Sequence, residues 1–304
     1  MGYLSTRTIT LGSRPSQLAR WQTEHVLDLL QKSWPGLDCR MVTLVTQGDR
    51  TLNRPLPEIG GKGVFTAELE TALHSGEIDL AVHSLKDLPV ESAPGLCIGA
   101  VSQRADARDV LISANRRALV TLPLGARVGT SSLRREAQIK AMRPDLTILP
   151  LRGNVDTRIR KALQGDYEAI ILAAAGVERL GLTEHVTEYL SFDVLLPAPG
   201  QGALAIQCRA DDVELIALLA PIHHAATARA VAAERAFLAG LGGGCSAPVA
   251  AYAQANATEI ALQGLVASTD GQQVIRVSGN GETPEAVGHS LAQQAIALGA
   301  GALL

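Results

Sequence analysis

The chain has 304 residues, enough for two or three domains at about 100–200 residues each. Hydrophobic residues make up 47% and charged residues 19%, a balance that excludes a disordered chain. Aromatics are only 3% and the net charge is −3, so a nucleic-acid partner is excluded: rings to stack bases on and a basic field are both lacking. The four cysteines, Cys39, Cys97, Cys208 and Cys245, include no C-x-x-C pair. That argues against a structural zinc site, so no metal is expected, and scattered thiols suit a reducing compartment. Residues 1–11 carry no secretory pattern. Residues 236–258 are uncharged but hold Gly240, Gly242, Gly243, Gly244 and Pro248, a poor membrane helix. A soluble, cytoplasmic protein without a membrane partner is expected.

In chain order, residues 7–11 read as a short strand ending in Gly12-Ser13. A helix is predicted over 16–32, with Leu18, Trp21, His25, Leu29 and Leu30 near one face, stopping at Pro35-Gly36. Residues 39–46 are β-branched and apolar, 64–74 amphipathic, and 78–83 a short apolar run that reads as a strand buried on both faces. The pattern then restarts: strands at 109–113 and 127–129, a helix over 132–142 halted before Pro144, a strand at 146–151, a helix to 163 and a strand at 168–173. Two such series imply two doubly wound α/β lobes with a cleft between them. From about residue 225 Ala and Gly rise. A helix over 227–238, a glycine run, strands at 259–267 and 273–278 and a helix after Pro284 predict a small α+β domain. No solenoid repeat is visible.

Arginine outnumbers lysine 22 to 5, and between Arg127 and Lys161 nine basic residues face three acids, a local charge of +6. Thr130-Ser131-Ser132 with Arg134-Arg135, and Arg152-Gly153-Asn154 with Arg158, fall just past predicted strand ends. There a hydroxyl-rich turn opening a helix offers N–H groups to an anion, and arginine adds bidentate carboxylate recognition. Those four arginines predict a polyanionic ligand, whereas Arg143, Arg160 and Lys161 read as a solvated helix face. His83-Ser84-Leu85-Lys86-Asp87 places a base and an acid at another strand end, although alone this could be a surface ion pair. Gly242-Gly243-Gly244-Cys245 leaves one thiol on an uncrowded loop, while Cys39, Cys97 and Cys208 read as small buried apolar groups. Gly60-Gly61-Lys62-Gly63 lacks phosphate-loop spacing and reads as a mobile cover. His223-His224 cannot share a helix face, and His25 and His74 read as packing or surface residues.

These motifs together resemble the porphobilinogen deaminase (hydroxymethylbilane synthase) family. The resemblance runs from residues 12–22, opening Gly12-Ser13-Arg14, through Thr46-Gln47-Gly48-Asp49, residues 60–70, 81–89, 129–135, 151–158, 172–182 and 197–207 to Gly243-Gly244-Cys245. Ser13 stands where the family usually has threonine, and residues 103–109 lack a common proline. The resemblance implies two lobes similar to type II periplasmic binding proteins, formed by residues 1–102 with 203–220 and by 103–202, plus a cofactor-bearing domain at 221–304. It implies a transferase that joins four porphobilinogen molecules into hydroxymethylbilane with loss of ammonia. The implied primer is a dipyrromethane cofactor held as a thioether on Cys245. By matched position Asp87 is the implied catalytic aspartate. Arg14, Ser16, Ser84, Lys86, Thr130, Ser131, Ser132, Arg134, Arg135, Arg152, Arg158 and Arg179 are the implied cofactor- and substrate-binding residues.

The chain is read as monomeric, with hinges at 102–109 and 196–202. The rival reading is a non-enzymatic two-lobed binder of a small polyanion, which would have no use for Cys245. A cysteine hydrolase would need a histidine close to Cys245, and no local signature supplies one.

Overall fold

The computed structural model describes residues 7–50, 63–242 and 247–304. The chain falls into two compact units: residues up to Arg104 with Ala203–Ala228, and Ala105–Gly202 with Arg229–Leu304.

In the first unit, β1 (Ile9–Ser13) leads into α1 (Gln17–Ser33), followed by β2 (Cys39–Thr43), the short α2 (Gln47–Arg50) and α3 (Ala67–Ser75). β3 (Leu80–Ser84) runs into a 3-10 turn (Leu85–Asp87), and β4 (Leu96–Val101) follows. Helix α1 starts where the Ser16 side chain accepts the Ala19 N–H, satisfying a donor the first turn leaves open. Its inward stripe, Ala19, Gln22, Thr23, Val26 and Leu30, has the spacing of one helix face. The sheet order is β2-β1-β3-β10-β4, where β10 (Leu204–Arg209) arrives from far along the chain. β1 is parallel to β2 and β3, whereas β10 runs antiparallel to β3 and β4. One face packs Ile9, Leu11, Leu80, Val82 and Ile206 on Val26, Leu30 and Leu219; Leu69, Leu73 and Ile78 cover the other. Helix α7 (Val213–Leu219) completes the first face.

The second unit opens with β5 (Asp109–Ile112), β6 (Arg127–Gly129) and α4 (Leu133–Met142). β7 (Thr147–Leu149), α5 (Val155–Leu163), β8 (Ala169–Ala173), α6 (Ala174–Arg179) and β9 (Glu188–Leu190) follow. Its sheet order is β7-β6-β8-β5-β9, with β6 parallel to β7 and β8, and β5 antiparallel to β8 and β9. Strand alternation divides the core: Val110, Ile112, Ile170 and Leu172 pack on Ile159 and Val177, while Leu111 and Ile171 pack on Leu119, Val128 and Ile139.

The C-terminal part adds α8 (Ala225–Gly240), an antiparallel sheet of β11 (Val249–Ala255), β12 (Ile260–Ala267) and β13 (Val274–Gly281), and α9 (Pro284–Ala297). This is the predicted small α+β domain. The β12–β13 turn comes so close to α4 that a Cβ on Gly271, which also has φ +74°, would lie 2.6 Å from the Ala137 carbonyl oxygen. The fold class is thus α/β, two open lobes plus a C-terminal domain. The strands at 96–101, 188–190, 204–209 and 249–255 were not foreseen as separate elements. Among the described residues no single helix is long and apolar enough to cross a membrane.

Candidate active site

Parallel strands β1 and β3 end at the same edge of the first sheet, the edge where open α/β sheets bind ligands. It carries Arg14, Ser16, Ser84, Lys86 and Asp87. The Arg14 guanidinium donates to Asp49 through Nη2 at 2.5 Å and Nε at 3.2 Å, and stacks 4.2 Å from the Phe65 ring. Burial opposes ionisation of Asp49, but Arg14 and the Thr46 hydroxyl and N–H hold its carboxyl below the usual range. Ser16 serves as the cap of α1, and Ser84 Oγ accepts from Gln22 Nε2 at 2.8 Å. Lys86 is half-buried, and Asp87 is exposed at the end of the 3-10 turn. That turn is anchored by the Leu85 N–H on the Ala203 carbonyl.

Behind the turn, His83 is 6% exposed and its Nε2 lies 3.0 Å from Gln207 Oε1. Burial above all, with Arg14 nearby, holds His83 down to about 4 against the help of Gln207. It is therefore a neutral core group at physiological pH and takes no part in proton transfer as an imidazolium.

In the second unit Thr130, Ser131 and Ser132 follow the end of β6 and Arg134 and Arg135 open α4; Arg152 follows β7, Arg158 lies within α5, and Arg179 ends α6 beyond β8. Ser131 is tied to the Leu151 backbone by two 3.0 Å bonds, and Ser132 caps α4. Thr130 is buried, and its Oγ1 accepts the Ser132 N–H. Arg134 and Arg135 are 5% and 7% exposed, and both reach fully buried Asp109, at 2.8 and 2.7 Å. They also donate to the carbonyls of Leu196 and Ile171. Burial works to lower Arg134, and Asp109 opposes it. Gln201 adds a third donor to Asp109 at 3.0 Å. Sequence reasoning placed these arginines at a ligand; the structure commits most of their donors to the protein.

Among the described residues, Arg135 Nε and Arg152 Nη1 are buried with no hydrogen-bond partner. Arg158 Nε donates to the Gly153 carbonyl at 2.6 Å, and Arg179 Nη2 to the Gly202 carbonyl at 2.8 Å. Burial lowers Arg179 to about 10, with Glu178 working the other way. Cys245, and the glycines at 60–61 with Lys62, lie outside the described residues.

Two expectations need correction. Arg143 is not a solvated residue: it bonds the carbonyls of Leu119, Val120 and Leu122 and pairs with Asp145 at 2.6 Å, stitching a loop to α4. Lys161 likewise reaches the Arg152 carbonyl at 3.3 Å, while Arg160 is exposed as expected. Asp109, Asp49, Gln22 and Gln207 were missed. The surplus of +6 around the arginines was a signal that a buried counter-charge had to come from elsewhere in the chain.

The fold and these segments define a two-lobed α/β protein whose second lobe gathers arginines after its parallel strands, the side on which open α/β sheets bind ligands. The porphobilinogen deaminase dipyrromethane cofactor-binding domain model matches residues 9–217, and the C-terminal domain model of the same family matches 228–297. Porphobilinogen deaminase of Moorella thermoacetica is 51% identical, covering 97% of this chain and 95% of that protein. The porphobilinogen deaminase of Brevibacillus brevis is 50% identical, covering 97% and 96%. Among solved structures, the periplasmic VFT2 domain of Bordetella pertussis BvgS is 17% identical with TM-score 0.42, covering 71% of this chain and 86% of that chain. The chain belongs to the porphobilinogen deaminase family. It is a transferase of tetrapyrrole biosynthesis with a dipyrromethane cofactor.

The residues present fit that cofactor. Each of its pyrroles carries an acetate and a propionate, and the orphaned N–H groups of Arg135 and Arg152 are donors that a carboxylate satisfies.

Proposed function

We propose that this chain joins four porphobilinogen molecules head to tail, releasing ammonia each time, and frees hydroxymethylbilane by hydrolysis. The observation that carries this reading is the pair of buried guanidinium N–H groups at Arg135 and Arg152 that have no hydrogen-bond partner among the described residues. A buried donor left unmade is unfavourable, and pyrrole carboxylates remove that penalty. When bound, the dipyrromethane supplies the fixed pyrrole terminus at which the chain grows. Cys245 holds it as a thioether. Arg135, Arg152, Arg158 and Arg179, with Arg134 behind them, and Thr130, Ser131 and Ser132 orient carboxylates. Arg14, Ser16, Ser84 and Lys86 do so at the first lobe's edge.

Asp87 stands exposed at the end of β3 on a turn pinned by the Leu85 N–H. Facing a pyrrole N–H, its carboxylate stabilises the positive charge that develops on porphobilinogen as ammonia departs. The same oxygen relays a proton to the leaving amine and takes one from the attacked ring carbon. The three separate sheets support a division at 1–102 with 203–220, 103–202 and 221–304. Hinges at 102–109 and 196–202 let the lobes shift as the product lengthens. We place the enzyme in the cytoplasm as a monomer.

The test is incubation of the purified chain with porphobilinogen, following ammonia release and uroporphyrin after oxidation. Stoichiometric ammonia and a mass under denaturing conditions above that of the bare chain are expected. Cys245→Ser should give the bare mass and no turnover. An active protein of bare mass overturns the thioether. A chain that binds porphobilinogen without releasing ammonia is a binding protein and overturns the whole reading.

A further inference from the structure

In the first sheet Cys97 on β4 is the direct register partner of Cys208 on β10. Their sulfur atoms lie 3.8 Å apart. Opposed residues of an antiparallel ladder have Cα atoms about 4.5–5.5 Å apart, inside the range of about 4.4–6.8 Å that a disulfide spans. Side-chain rotation alone can therefore bring the sulfurs to bonding distance. Space for it exists because position 99 has no side chain: a Cβ on Gly99 would come within 2.8 Å of the Cys208 sulfur. We propose that Cys97 and Cys208 form a reversible disulfide under peroxide, stapling β4 to β10.

The chemistry balances with hydrogen peroxide as the oxidant. Cys97 is half-buried and Cys208 is fully buried, so a small oxidant meets Cys97 first. The Cys97 thiolate attacks one peroxide oxygen and the O–O bond breaks. This leaves a sulfenic acid on Cys97 and a hydroxide that takes up a proton to become water. Cys208 then gives up its proton and attacks the Cys97 sulfur. The S–O bond breaks, and the departing hydroxide leaves as a second water. Two thiols are oxidised, and one peroxide is reduced to two waters. Burial, with the Cys97 thiol beside it, pushes Cys208 up to about 12, which fits it to the second role rather than the first.

The staple joins two strands that matter to the unit's connections. β4 runs toward Arg104, where the chain leaves the unit, and β10 starts just after Ala203, where it returns. Gln207, next to Cys208, is the partner of His83, four residues before Asp87. Oxidation therefore locks the neighbourhood of the strand that carries the catalytic turn.

Peptide mapping of the full chain tests this and does not depend on what Cys245 carries. The protein is exposed to hydrogen peroxide under native conditions, quenched with catalase, denatured in iodoacetamide and digested with trypsin. Residues 87–104 and 180–209 each hold one cysteine. The expected product is these two peptides as one linked species, two hydrogens lighter than their sum and separated again by dithiothreitol. Cys97→Ser and Cys208→Ser should each abolish it and leave alkylation of Cys39 unchanged. Recovery of both cysteines alkylated, or of Cys97 as sulfinic acid without a link to Cys208, overturns the proposal.

Discussion

The two five-stranded sheets follow one plan. β2-β1-β3-β10-β4 and β7-β6-β8-β5-β9 place an antiparallel strand at the same position. In each, the second strand in the order ends three residues before a serine that caps the next helix, Ser13 before Ser16 and Gly129 before Ser132. Their charges are handled in opposite ways. In the first lobe Arg14 and Asp49 form a one-to-one pair with side chains 24% and 11% exposed. In the second, two arginines share one carboxylate with almost no water access. Topology decides where a cation stands. Burial decides how many of that cation's donors hold the fold together and how many stay available to a ligand.

The comparison breaks most visibly at Asp109. Asp109→Asn leaves two guanidiniums buried over a neutral amide, and a loss of about 3–5 kcal/mol is expected, read from urea denaturation. A loss below about 1 kcal/mol would mean that water reaches the pair. His83 offers the contrasting buried group of the first lobe. Its folded value of about 4 lies below its ordinary 6.5, so the folded state resists the proton that the unfolded state accepts. Stability is therefore full above pH 6.5 and is lost as pH falls toward 4, by about 3 kcal/mol in all. His83→Asn should flatten that part of the pH–stability curve relative to the parent; parallel curves would refute the assignment.

Asp87 inverts the logic of Asp109, being exposed and, in the proposed mechanism, the group that meets the developing charge. Asp87→Asn should leave the melting temperature and the cofactor content unchanged and lower turnover at least about a hundredfold. Near-normal steady-state turnover would remove Asp87 from the mechanism. The smallest effect on stability among the buried or part-buried acids belongs to Asp49→Asn, where the pair keeps some water access and is worth about 1 kcal/mol. A larger loss in the same urea titration would erase the distinction between the lobes.

The sequence made the parallel strands legible because β1, β3 and β8 are short apolar runs with a turn after each. It left β10 hidden, since Leu204–Arg209 pairs with partners brought from far back in the chain and no local pattern announces that. The three-residue β9 is too short to have a period. The Thr130–Arg135 cluster was visible as an excess of charge. The acid that buries Arg134 and Arg135 was not, because Asp109 opens an apolar strand and meets them only through tertiary packing. Asp49 stood in plain view in a quoted motif, yet its role as the Arg14 partner needed the fold.

The placement of β10 bears on how the protein is made. On a ribosome the second sheet is complete once β9 has emerged, while the first still lacks the strand between β3 and β4. Until Leu204–Arg209 is synthesised, β3 and β4 present unpaired edges, the kind of exposed template that invites misassociation. The nascent first lobe must therefore wait for the second, and chaperone dependence during translation should concentrate on its edge strands.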